Sequence, residues 1–315
     1  MEVTNFSPII PQPYPWLIIC DGKDQERQTL VNISDNHFKS MTMPEMRNKS
    51  ICTSTKEWLV LKDLDSMDLC LLNLTSKEVV QLPRLESTIR TDICILLSPE
   101  SKSIHDCHVM FIDGLTFYFC QPGDKKFSER VFEFDLEGRL MWIPTATMFR
   151  GKVYFLTIIS EGPNELFTAE FVNSSLHFTK FTSKNLPVPL PPEIVDYLVE
   201  SRGELLFIQK MRGGWNFNKI LGFSIFRMDF SSQMWVQVNN IRGQTIFLSQ
   251  PYGLKHKAIS CFAREKEIRK NSIYFTKCSD RYIYIFDLED HSISKSLSCP
   301  IVSKHNSRLD WVMIP

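Results

Sequence analysis

Glycine is scarce, at 12 of 315 residues, and neither a GxGxxG nor a GxxxxGKS/T run occurs, so the common phosphate-cradling loops are excluded. An excess of charge of either sign is also missing. Lys plus Arg (36) equals Asp plus Glu (36), so no global field draws the chain to nucleic acid or an anionic membrane. Long apolar runs are lacking, since segments such as 16–20 are strand-sized and far short of the ~18 residues a membrane span needs. The nine cysteines are odd in number, scattered and never spaced as CxxC, which argues against a disulfide framework or a zinc knuckle. Reduced core thiols in a cytoplasmic or nuclear protein are expected instead. The first fifteen residues lack a basic region and carry Pro8, Pro11, Pro13 and Pro15, so no secretory signal is read there and the five N-x-S/T sequons are expected to stay unmodified.

Helical periodicity is the last absence, with one short Pro-led candidate at 192–199. What fills the chain is strand: runs rich in Val, Ile, Phe, Tyr and Leu at 16–20, 58–61, 70–74, 108–112, 116–120, 153–159, 204–209 and 282–286. A pattern recurs among them, a strand ending in Asp or Asn, one apolar residue and a polar turn, with key residues Asn32, Asn73, Asp135, Glu170, Asp229 and Asp287. Five intervals span 255 residues, a mean of 51, the size of a four-stranded propeller blade. The spacing predicts an all-β, six-bladed β-propeller, with seven blades as the alternative count. The first unit is a strand short and the strand around Trp311 is left without a blade, so pairing of the N- and C-terminal strands is expected to close the ring and remove two open edges. The division is a Pro-rich arm over 1–14 and a single propeller domain over 15–315.

The motifs Pro15-Trp16-Leu17, Cys52-Thr53-Ser54 before Glu57-Trp58-Leu59-Val60, Gly151-Lys152-Val153-Tyr154, Ile246-Phe247-Leu248-Ser249, Asn271-Ser272-Ile273-Tyr274-Phe275-Thr276, Phe286-Asp287-Leu288 and Trp311-Val312-Met313-Ile314-Pro315 occur in an order that resembles the plant KIB-type β-propeller family. Members are kelch-like, and many carry an F-box ahead of the propeller. The resemblance implies the target-holding arm of a cullin-RING ubiquitin ligase, in which the F-box grips a Skp-type adaptor. Only fifteen Pro-rich residues precede the first strand here, so no F-box and no direct contact with a Skp-type adaptor are expected.

Other constellations read as ordinary structure. Alternation would put His105 and Cys107 of His105-Asp106-Cys107-His108 on one face, but no second ligand pair accompanies them, so neither metal nor cofactor is expected. Asp63, Asp65 and Asp68 lack the glycine and glutamate of a calcium loop and read as a turn. No GxSxG or HExxH occurs. The basic run Lys255, His256, Lys257, Arg264, Lys266, Arg269 and Lys270 is interrupted by Glu265 and Glu267 and reads as a solvated loop, not a nucleic-acid patch. The 186–192 segment reads as a stiff linker between units, and Trp58, Trp142, Trp235 and Trp311 as packing between blades. The segment 211–219 stands apart, because paired glycines followed by Trp and Phe would offer aromatic area on a loop. Arg212, Trp215, Phe217 and Lys219 are therefore the expected partner-binding residues. The function expected is a monomeric, non-catalytic propeller that binds a target protein; the alternative is a small-molecule enzyme using the channel mouth.

Overall fold

The computed structural model describes residues 15–21, 27–32, 37–55, 57–86, 89, 93–97, 103–133, 141–159, 164–187, 194–213, 216–249, 257–263, 268–277, 282–298 and 308–313. They form six antiparallel-based sheets arranged as the blades of a propeller. Blade one holds β1 (Pro15–Asp21), β2 (Arg27–Asn32), β3 (His37–Met41) and the last strand of the chain, β25 (Arg308–Met313). Blade two is β4 (Lys49–Ser54), β5 (Trp58–Asp63), β6 (Leu69–Asn73) and β7 (Val79–Gln81); blade three is β8 (Ile93–Leu97), β9 (His108–Asp113), β10 (Thr116–Cys120) and β11 (Ser128–Val131). Blade four is β12 (Met141–Phe149), β13 (Lys152–Ile159), β14 (Glu165–Val172) and β15 (Ser175–Phe181); blade five is β16 (Ile194–Ser201), β17 (Glu204–Gly213), β18 (Asn216–Asp229) and β19 (Met234–Val238). Blade six has five strands, β20 (Gln244–Ser249), β21 (Lys257–Phe262), β22 (Ser272–Thr276), β23 (Tyr282–Asp287) and β24 (Ile293–Ser298), in the order β21-β20-β22-β23-β24. The inner strands β25, β4, β8, β12, β16 and β21 follow one another around the axis, and β20 against β25 completes the circle.

Each blade is covered on both faces, and the period of two sends alternate side chains to opposite neighbours. In β1, Leu17 and Ile19 enter the cluster shared with blade six while Ile18 and Cys20 enter the one shared with blade two. In β17, Leu206 and Ile208 face blade six while Leu205 and Phe207 face blade four. Six such apolar clusters fill the six seams between adjacent blades. This explains why interior strands read as unbroken apolar runs, as in the fully buried Leu59-Val60-Leu61 of β5. The outer strand β11, Ser128-Glu129-Arg130-Val131, is exposed throughout and polar in three of four positions.

Asn73 and Asp229 end the third strands of blades two and five, Asp287 ends the fourth strand of blade six, and all three accept hydrogen bonds from the turn that follows: Asn73 Oδ1 from the Thr75 and Ser76 amides, Asp229 Oδ1 from Ser231, and Asp287 Oδ1 from the Glu289 amide. Three repeat assignments need correction. Asp135 lies outside the described residues, after β11; the third strand of blade three is β10, and Asp124 closes its turn by accepting from the Gln121 amide at 2.7 Å. In blade four the turn is Asn173-Ser174, both at positive φ, three residues beyond Glu170. In blade six, β20 is an additional strand parallel to β22, which stretches that repeat.

Further expectations are also overturned. The 192–199 helix is absent; β16 occupies 194–201, because a segment with Tyr197, Leu198 and Val199 all buried between blades four and six has no solvent-facing side for a helix to present. Trp142 is 46% exposed instead of packed between blades: Pro144 follows it, and the β12–β13 register shifts between Trp142 and Thr145. Lys257 is on β21, not in a loop. His105 sits in a short 3-10 turn (Ile104–Asp106), and the buried Cys107 Sγ lies 2.7 Å from the Ile104 carbonyl oxygen. Burial pushes the Cys107 thiol up to about 11 and the Cys120 and Cys261 thiols up to about 12, so all three stay protonated at neutral pH. The Pro-rich arm over 1–14 lies outside the described residues.

The chain's two ends meet in blade one. β1 and β25 pair antiparallel from Pro15↔Met313 to Cys20↔Arg308. Trp311 is 1% exposed, its ring 4.9 Å from that of Phe247 in blade six, and its backbone amide donates to Ser249 Oγ at 3.2 Å. Replacing Trp311 by Ala should therefore lower the unfolding free energy by roughly 3–5 kcal/mol, the usual loss for a buried aromatic cut to Ala. Trp311→Phe should lose much less, because the buried indole Nε1 has no hydrogen-bond partner. Urea unfolding of both variants beside the parent checks this.

Candidate functional site

The strands of blade five are unequal in length, and that inequality shapes one rim. Among the described residues β16 pairs with β17 from Ile194↔Met211 onward, and β19 pairs with β18 only as far as Ile225↔Val238. Past the end of β19, β17 and β18 continue together through Arg212↔Ile220 and Gly213↔Asn216 as a paired ribbon. Arg212 and Phe217 are thus strand residues, where a loop is expected from the sequence, and Trp215 lies outside the described residues. Lys219 is exposed; a Cβ at Gly213 would meet its Cδ at 3.0 Å, so this glycine leaves room for the lysine stem. Leu221 beside it is 57% exposed. The base of the ribbon is anchored, with Phe223 against Phe275 (5.1 Å) and Phe286 (5.3 Å) of blade six. Three of the four expected residues, Arg212, Phe217 and Lys219, therefore lie on the two paired strands.

At the other end of the same strands lies a rim that the composition alone does not flag. Three Arg-Gly pairs, Arg150-Gly151, Arg202-Gly203 and Arg242-Gly243, have both residues at positive φ and turn the chain in blades four, five and six. The Arg150 guanidinium lies over Phe149 (4.9 Å) and Phe230 (5.2 Å), Arg202 lies over the exposed ring of Phe262 (5.6 Å), and Arg242 and Arg227 share the Glu204 carboxylate at 3.0 and 3.3 Å. Arg-Gly occurs four times in the sequence and three copies fall on this rim, the fourth being Arg212-Gly213 of the ribbon, so the dipeptide is a partial signal for it.

The axis holds a cavity of about 260 Å³ lined by β4, β8, β12, β16 and β21. Lys257 reaches across it, its Nζ 3.2 Å from Ser54 Oγ of blade two. No carboxylate and no histidine lines the cavity among the described residues, and no group of three or more His, Cys, Asp or Glu able to hold a metal occurs among them. Away from the cavity, β16 carries a buried carboxyl: Asp196 is 3% exposed, pairs with Gln209 of β17 and has an Oδ1 without a hydrogen-bond partner. The neighbouring Lys210, also buried, points to the opposite face of β17, with its ammonium 5.9 Å from the Phe275 ring. Burial raises the Asp196 carboxyl to about 7, against the lowering effect of its Gln209 hydrogen bond.

Such a group holds a proton in the folded state that the unfolded chain releases near pH 4, so its effect on stability runs opposite to that of a salt-bridged carboxylate. Unfolding free energy should fall by roughly 1.4 kcal/mol per pH unit between about pH 4 and 7, relative to an Asp196→Asn variant, and level off above. Urea denaturation of both proteins at pH 5 and pH 7.5 measures the difference.

Comparison with known proteins agrees with this architecture. The family model described as the KIB1-4 beta-propeller matches residues 30–297. An Arabidopsis thaliana chain named as an F-box protein is 23% identical over 337 residues, covering 95% of this chain and 81% of its own length. Among solved structures, apo AztD of Citrobacter koseri overlaps 96% of this chain and 98% of its own at a TM-score of 0.43 and 7% identity. The WD40 domain of SCAP from fission yeast overlaps 90% and 62% at a TM-score of 0.36 and 8% identity. Structural overlaps this low carry no weight for function. The match over 30–297, with six closed blades beneath it, places the chain in the KIB1-4 β-propeller family.

Proposed function

We propose that the chain is a monomeric, non-catalytic protein-interaction propeller of the cytoplasm or nucleus, and that it holds a target protein for a cullin-RING ubiquitin ligase. The observation that carries the docking part is the β17–β18 ribbon, which continues well past the end of β19 and presents Lys219 and Leu221 to solvent. A ribbon anchored at its base by Phe223 gives a partner a preorganised surface, which reduces the ordering cost of binding. Arg212 and Phe217 lie on its two strands and Trp215 falls between them in the sequence, and aromatic residues and arginine dominate binding energy at protein interfaces. The ligase part rests on the family and on the distant relative named as an F-box protein. A Skp-type adaptor is then reached through a partner and not by the propeller itself.

The test is affinity purification of the tagged chain from plant cells, with Lys219→Glu/Leu221→Asp, Trp215→Ala and the opposite-rim variant Arg150→Glu run in parallel. The specific partner should be depleted about tenfold or more by the ribbon variants, equivalent to at least ~1.4 kcal/mol, and retained by Arg150→Glu. Co-purification of cullin and Skp-type subunits is expected with the parent. An unchanged set of partners in the ribbon variants would remove the docking assignment, and capture of partners without any ligase subunit would remove the ubiquitin role.

A further inference from the structure

The rim of Arg-Gly turns is surface that the docking ribbon does not use. We infer that it is a second interaction surface, which receives an extended acidic segment of a partner protein with one carboxylate on each of Arg150 and Arg202. Both arginines are exposed, at positive φ beside their glycines in tight turns. Each also reaches across a seam: Arg150 of blade four lies over Phe230 of blade five (5.2 Å) as well as its own Phe149 (4.9 Å), and Arg202 of blade five lies over Phe262 of blade six (5.6 Å). Stacking occupies a face of each guanidinium and leaves its N–H edge, the part that forks a carboxylate. A side chain held in this way has less freedom to lose when a partner binds.

The charges around these two arginines separate them from the rest of the rim. Among the described residues neither Arg150 nor Arg202 is paired with a carboxylate, whereas Lys152 holds Glu170 (2.8 Å), Arg227 and Arg242 share Glu204 (3.3 and 3.0 Å), and Arg269 holds Asp287 (3.5 Å). Two other carboxylates beside them are engaged by uncharged donors: Asp229 by the Ser231 amide and hydroxyl and the Ser232 hydroxyl, and Glu200 by the Gly203 amide. Between Arg150 and the Arg202-Gly203 turn lies a groove of about 410 Å³, which also has Phe230, Glu204 and Asp229 in its walls. A phosphate dianion there would be crowded against Glu204 and Asp229, whereas carboxylates bring one charge to each separate fork. Stacking of single-stranded bases is disfavoured as well, because the arginines already lie over Phe230 and Phe262. Phe262 is nevertheless 54% exposed, apolar area beside Arg202 that a bound protein segment would cover.

The inference does not depend on the ribbon reading, because the two rims lie at opposite ends of the blade-five strands. Fluorescence polarisation of the full chain with a fluorescein-labelled octaglutamate tests it, with octaglutamine as the neutral match and a singly phosphorylated serine peptide and oligouridylate as the competing chemistries. Saturable one-site binding of octaglutamate is expected, weakening as salt is raised, with octaglutamine about tenfold weaker or more. Arg150→Gln/Arg202→Gln should weaken binding by about tenfold or more, and Arg150→Lys/Arg202→Lys by about threefold, because the charge stays and the fork is lost. The ribbon variant Lys219→Glu/Leu221→Asp should bind as the parent does. Thermal unfolding of each variant is followed in parallel; if the Gln pair does not fold, the single variants Arg150→Gln and Arg202→Gln, each about threefold weaker, take its place. No saturable binding of octaglutamate, equal affinity for octaglutamine, unchanged binding by the folded Gln variants, loss of binding in the ribbon variant, or tighter binding of the phosphopeptide or oligouridylate would each overturn the assignment.

Discussion

Ring closure by β25 on β1 is the constraint on which the other parts of the molecule depend. A propeller blade has apolar residues on both faces, and neither face is satisfied until a neighbour lies against it. Six seams need six blades in a closed circle, and the first blade exists only when residues 308–313 return to pair with residues 15–21. Trp311 is therefore both a strand residue of blade one and a core residue against Phe247 of blade six. Closure also removes the two sheet edges most exposed to pairing with another chain.

With the ring closed, the seams set what each surface can do. Blade-to-blade packing uses the faces of the strands, which leaves two rims of turns and the inner edges for function. On one rim the unequal strands of blade five produce the β17–β18 ribbon, and on the other the Arg-Gly turns bring arginines beside Phe230 and Phe262. On the axis, the interposed strand β20 carries β21 inward, so that Lys257 meets Ser54 from four blades away in the chain order. Buried polar groups follow the same geometry. The Leu198 amide donates to Thr145 Oγ1 at 3.0 Å across the seam between blades five and four. Asp196 is held on β16 where burial keeps it protonated well above the usual carboxylate range.

Much of this was legible in advance. Strands such as 116–120 coincide with β10, and Asn73, Asp229 and Asp287 stand where their turn chemistry predicts, because an Asx side chain can cap a tight turn from purely local contacts. Repeat phasing was lost where that local signal weakens, in blade three, where Asp124 takes the turn, and in blade six, where an extra strand intervenes. The 192–199 segment suggests a helix because a short Pro-led apolar run has no period of its own to distinguish helix from strand, and burial between two blades makes 194–201 a strand instead. In the candidate site, the sequence located the segment by its glycines and aromatics, but it could not show that the segment continues as a paired ribbon, since that depends on the β17–β18 register and on where β19 stops.

The amino-acid order by itself determined the fold class, the approximate repeat length, the turn residues and the need for the two ends to meet. Those properties arise from neighbours a few residues apart, or from an apolar strand left without a blade. The tertiary structure decided the number of strands in blade six, the exposure of Trp142, the protonation of Asp196 and the facing of Lys257 to Ser54 across the axis. Each of those depends on residues brought together by ring closure from distant parts of the chain, and burial, register and field at such a meeting point are properties of the closed ring and not of any one segment.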